Sequence, residues 1–173
     1  MTGVINAASG SKYFELTRYF EGRAIAWGVF EDRFRRLRRR FKVEMNGRWQ
    51  DGAFVLDERF VYDTGETEHR TWRIIPGADG HFTATCDDCI GEAVGVCASD
   101  SVRMSYRFRL KRDGRSINVD FDDRLYQMSE TTAVNRATMS KWGIKLGELS
   151  LFFERADTAA TAAAASATQR VAA

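Results

Sequence analysis

The chain has 173 residues and a formal net charge of +2, from 26 Lys+Arg against 24 Asp+Glu. Apolar residues make up 44% and charged residues 29%, which is the composition of a globular domain, and the length suits one such domain. No apolar run is long enough for a transmembrane helix. The near-balanced charge argues against a nucleic-acid domain built on overall basicity, and a single proline with 14 glycines excludes a proline-rich linker.

The opening MTGVINAASGSKYFELTRYF has no basic n-region and no long apolar stretch, so it does not read as a secretory leader. A cytoplasmic location is expected, with residues 1–11 flexible. One helical turn is predicted near Glu15–Phe20 and a strand over 23–30. Then Arg33, Arg35, Arg36, Arg38, Arg39, Arg40 and Lys42 crowd together. A nucleic-acid patch, an amphipathic helix through Phe34, Leu37 and Phe41, and a strand all compete for this run. The strand over 36–45 is favoured, because Leu37, Arg39, Phe41, Val43 and Met45 share one face and Asn46-Gly47 offers a hairpin turn.

Phe54, Leu56, Phe60 and Tyr62 alternate along the next strand, and Trp72 and Ile74 alternate after Asp63-Thr64-Gly65. A three-residue loop with Gly65 in the left-handed conformation pairs Leu56 with Trp72 and Phe54 with Ile74. A two-residue loop would split those apolar pairs. Strands are expected again over 80–86 and 92–97, beside Cys86, Cys89 and Cys97. Cys86-Asp87-Asp88-Cys89 has C-x-x-C spacing, yet no fourth zinc ligand stands at a recognisable distance from it, His69 and His81 included. Small buried or turn cysteines are the expectation, and no metal or cofactor is.

The clearest strand is Val102–Leu110, apolar on one face and basic on the other. With Asp113-Gly114 as a two-residue turn, Leu110 faces Ile117, Phe108 faces Val119, Tyr106 faces Phe121 and Val102 faces Leu125. On the other face Arg107 meets Asp120. Strands over 131–140 and 143–155 follow, and the alanine-rich stretch 157–173 has too little apolar bulk to order itself and is expected to be disordered. About ten short strands with turn signals between them predict an all-β domain over 12–156, an antiparallel sandwich or barrel.

Within those registers several charges fall on apolar faces. Glu58 shares a face with Leu56 and Phe60 and lies opposite Arg70. Asp123 lies between Phe121 and Leu125, opposite Met104, and Arg39 lies between Leu37 and Phe41. A buried charge must pair, or meet water or a ligand. These residues therefore form either internal ion pairs or the polar end of a cavity. No nucleophile stands in a recognised catalytic motif, so no catalytic residue is assigned.

The order of segments resembles the DUF3833 family of uncharacterised bacterial proteins. The matching stretches are Tyr19-Phe20-Glu21-Gly22, Trp27 to Phe34, Leu56 to Tyr62, Arg70-Thr71-Trp72, Phe121 to Tyr126, Asn135-Arg136 and Lys141-Trp142-Gly143, together spanning residues 13–155. The resemblance implies a single antiparallel up-and-down barrel similar to the calycins, the group of lipocalins and fatty-acid-binding proteins. The Phe-x-Gly opening followed by Trp27 resembles the way lipocalins close the barrel bottom. Relatives often resemble lipoproteins, which makes membrane association the alternative location, but this chain has no lipobox cysteine and has Arg124 where relatives tend to have a tryptophan. Relatives encoded beside genes of the cyclopropane-synthase type point towards lipids.

The resulting expectation is non-enzymatic binding of a small hydrophobic or amphiphilic ligand, such as a fatty acid, inside the barrel. Arg39, Glu58, Arg70, Trp72, Tyr106, Phe121, Asp123 and Arg136 are the candidate ligand-binding residues. No nucleic-acid partner and no transmembrane segment are expected. Two alternatives stand beside it: a packed-barrel accessory protein in lipid modification or membrane stress, and a lipid isomerase or cyclase using Glu58 and Asp123.

Overall fold

The structure, a computed structural model, describes residues 12–112 and 114–156. Helix α1 (Leu16–Phe20) precedes ten strands: β1 (Gly22–Asp32), β2 (Leu37–Gln50), β3 (Ala53–Tyr62), β4 (Thr67–Pro76), β5 (His81–Thr85), β6 (Ala93–Cys97), β7 (Ser101–Arg112), β8 (Arg115–Gln127), β9 (Thr132–Lys141) and β10 (Ile144–Arg155). Each strand pairs antiparallel with the next, and β1 pairs with both β2 and β10, so the sheet closes into a barrel without free edges. The expected flexible N-terminus (1–11), the expected disordered tail (157–173) and Asp113 of the predicted turn lie outside the described residues.

Both predicted hairpin registers are found. Phe54 pairs with Ile74, Leu56 with Trp72 and Glu58 with Arg70. Gly65, at φ 85°, supplies the left-handed residue of the three-residue loop. In the β7–β8 pair, Val102 faces Leu125, Met104 faces Asp123, Tyr106 faces Phe121, and Arg107 meets Asp120 at 2.8 Å on the outer surface.

The arginine run forms the β1–β2 turn and the first half of β2, with Phe41, Val43 and Met45 buried inside. The turn expected at Asn46-Gly47 is absent, because β2 runs on to Gln50 and the reversal occurs at Asp51-Gly52, both at positive φ. Gly47 meets a different demand. A β-carbon there would stand 2.0 Å from the Phe20 carbonyl oxygen and 2.6 Å from the Phe54 ring. Glycine thus lets α1 rest directly on the barrel wall.

That helix closes one end. Phe14, Tyr19 and Phe20 are buried there with Phe153, their rings meeting at 5.5, 4.9 and 5.6 Å between centroids. The Tyr19 hydroxyl donates to the Thr131 carbonyl at 3.2 Å. Trp27 plays no part in the closure: it points outward, half-exposed, and stacks on Phe152. Side chains alternate across a strand, and Ala24 and Ala26 take the inward positions around it.

Candidate functional site

The barrel encloses a cavity of about 700 Å³. It runs from Leu16 and Phe20 at the closed end to Glu66, Thr67, Lys111 and Ile117 at the opposite mouth. Its walls are mostly apolar, with Leu56, Phe82, Ala84, Met104, Ala137 and Leu151 among them. A volume of this size is that of a small-molecule site.

A polar layer crosses this apolar space. Arg70 on β4 lies over the Phe60 ring at 4.8 Å and the Phe108 ring at 4.5 Å, so its guanidinium is held between two aromatic faces. Its Nη1 is 3.9 Å from Oε2 of Glu58 on the neighbouring strand. That Glu58 oxygen is buried and has no hydrogen-bond partner. Burial pushes the Glu58 carboxyl up to about 7, outweighing the pull of Arg70 and a hydrogen bond with Trp72. Across the barrel, Asn135 Nδ2 donates to Asp123 Oδ1 at 3.4 Å. Burial raises Asp123 to about 6, against its hydrogen bonds with Tyr106 and Asn135. Burial and the nearby Asp123 charge raise the Tyr106 hydroxyl well above its ordinary value. Burial works against the Arg70 charge, but Glu58 and then Tyr106 hold it, and the net shift is upward. Two carboxyls poised near neutrality thus share one water-restricted space with one fixed cation.

Seven of the candidate residues meet in this space: Arg39, Glu58, Arg70, Trp72, Tyr106, Phe121 and Asp123. Trp72 packs edge-on against Tyr106 at 5.2 Å, and Phe121 stacks on Tyr106 at 5.1 Å. Arg39 sits at the mouth, over the Tyr62 ring at 4.6 Å and paired with Glu66 at 3.1 Å. Arg136 does not belong to the set. It faces outward and pairs with Glu148 at 3.4 Å, because Ala133, Asn135, Ala137 and Met139 take the inward positions of β9. Asn135 is the residue missed. The inward positions of β9 are too small and polar for the local pattern to mark it.

The cysteines back the cavity wall rather than line it. Cys86 and Cys89 flank a turn in the β5–β6 connection, with their sulfurs 2.8 Å apart. The hydrogen bond from Cys89, and the Arg70 charge behind it, lower the Cys86 thiol. Among the described residues no group of three His, Cys, Asp or Glu side chains is arranged to hold a metal.

A family model described as "Protein of unknown function (DUF3833)" matches residues 3–155. The chain belongs to the DUF3833 family. No curated protein matches it. Among solved structures, an S-type phycobiliprotein lyase, CPES, from Guillardia theta superposes with a TM-score of 0.60 at 7% identity, covering 83% of this chain and 92% of the lyase. A protein of unknown function from the DUF3598 family of Nostoc punctiforme gives a TM-score of 0.60 at 10% identity. That match covers 86% of this chain, which spans about half (53%) of the Nostoc protein. At such identities the likeness is one of fold, and it places this DUF3833 barrel in the same lipocalin-like architecture.

Proposed function

We propose that this DUF3833 barrel binds a small amphiphile without altering it. The apolar walls take the tail, and the layer built on Arg70, Glu58 and Asp123 takes the head group. The observation that carries this reading is the apolar cavity of about 700 Å³ crossed by ionisable groups, one of whose oxygens, Glu58 Oε2, has no hydrogen-bond partner. A buried unpaired acceptor is costly, and a ligand that satisfies it recovers that cost. A carboxylate head group fits if it engages Arg70 while Glu58, already poised at about 7, takes up a proton. The packed-barrel alternative requires a filled interior, and the cavity is the observation against it.

The test is displacement of a fluorescent fatty acid from the full chain and from Arg70→Leu. A charge-assisted contact predicts that the variant binds about ten-fold or more weakly. Equal affinity removes Arg70 from the site.

A second reading, a lipid isomerase or cyclase, draws on Glu58 and Asp123 both facing the cavity near neutrality. It predicts a rearranged lipid product after incubation, and Glu58→Gln would abolish that product while leaving lipid binding in place. Recovery of every lipid unchanged counts against it.

A further inference from the structure

The mouth of the barrel carries side chains that cavity binding does not use. Trp142 tips the β9–β10 turn and is 86% exposed, and Phe34 tips the β1–β2 turn and is 64% exposed. The two turns are neighbours on one rim, since the Arg33 amide donates to the Leu146 carbonyl at 2.9 Å. Trp142 also breaks a local rule. It sits at φ 53°, ahead of Gly143 at φ 77°, where a tight turn ordinarily takes asparagine, aspartate or glycine. A bulky aromatic held in a left-handed conformation and pushed into solvent is unfavourable twice over, and neither cost helps the fold.

Basic groups surround both rings. Arg33 and Arg36 lie over Phe34 at 4.7 and 5.8 Å, and Lys141 lies over Trp142 at 4.6 Å. Below Trp142, a surface groove is lined by Arg107, Arg109, Ser116, Asn118, Asp120 and Lys141. Asp120 is engaged by Arg107, which leaves Arg109 and Lys141 as its remaining cations. Exposed aromatic tips among lysines and arginines, beside a basic polar groove, match an interface where apolar groups sink to headgroup depth and cations meet phosphates.

We infer that this rim docks on an anionic lipid bilayer, with Phe34 and Trp142 entering the interface and the Arg109–Lys141 groove receiving a lipid phosphate. Docking in that pose turns the open mouth of the cavity towards the membrane. The surface commits to lipid rather than to nucleic acid because its exposed centre is two aromatic side chains on separate turns, and the compensated charges elsewhere leave no continuous basic track.

Vesicle flotation with the full chain tests this. The protein should float with phosphatidylcholine vesicles containing about a third phosphatidylglycerol and stay behind with phosphatidylcholine alone, and added salt should release it. Phe34→Ser with Trp142→Ser should weaken vesicle binding about ten-fold or more, and Arg109→Glu with Lys141→Glu by a similar factor. Phe34, Trp142 and Arg109 are exposed and Lys141 is partly exposed, and unchanged circular dichroism and thermal unfolding confirm that both double variants fold. Failure of the wild type to float, equal flotation of the aromatic variant, or tighter binding to a DNA duplex than to the vesicles overturns the inference. Fatty-acid displacement in solution is read separately, so either result leaves the cavity reading to its own test.

Discussion

The two ends of this barrel are built from the same alternation but solve opposite problems. At the closed end, α1 lays Tyr19 and Phe20 across the opening, and Gly47 gives up its side chain to let the helix down. At the open end, apolar side chains stand out in water and charges crowd the rim. One end is optimised for packing, and the other tolerates strain and exposure that packing does not explain. Natural folds depart from local rules at functional sites, and the contrast is in line with the functions proposed for the mouth and for the cavity behind it.

The contrast breaks most sharply at Gly47. Gly47→Val drives a side chain into the Phe20 carbonyl, and a loss of about 4 kcal/mol or more is expected, visible as failure to fold or a collapsed thermal midpoint. Phe20→Ala removes the plug itself and should cost about 3–5 kcal/mol by denaturant unfolding.

In the middle of the barrel, the effect depends on pH. Glu58 and Asp123 hold their protons more tightly folded than unfolded, so ionising them costs stability. That cost is absent at low pH, grows as pH rises from about 4 to about 7, and levels off above. Arg70→Met removes the countercharge. It should cost about 3 kcal/mol at pH near 8 and under about 1 kcal/mol at pH near 5. A penalty equal at both values would mean that Arg70 does not face these carboxyls.

At the rim the sign reverses. Trp142→Asn places a residue suited to the left-handed turn and should raise stability by about 0.5–1 kcal/mol while reducing vesicle binding. Outside the barrel, Arg107→Ala removes an exposed ion pair and should shift stability by less than about 0.5 kcal/mol.

What the sequence disclosed follows the same physical lines. The β3–β4 and β7–β8 registers were legible because large apolar residues alternate along both strands of each pair, and a slip of one residue would have exposed all of them. Those registers in turn placed Glu58, Arg70 and Asp123 on the inner face. Strand β9 is opaque because its inward positions are Ala133, Asn135, Ala137 and Met139, too small and polar to announce a face, so nothing in the local pattern turns Arg136 outward or Asn135 inward. The Asn46-Gly47 pair reads locally as a turn. Its true role depends on a helix more than twenty residues earlier in the chain, a tertiary contact that local pattern does not encode. The sequence leaves a hollow and a packed barrel side by side, since inward-facing aromatic residues describe a solid core as well as a cavity wall.

The most direct test of the account is native mass spectrometry of the purified full chain, followed by solvent extraction and lipid analysis. An adduct of one amphiphile per chain, or one formed on incubation with a fatty-acid panel and weakened in Arg70→Leu, is the predicted result. A bare protein mass that no member of the panel changes would contradict the claim that this cavity is a binding site.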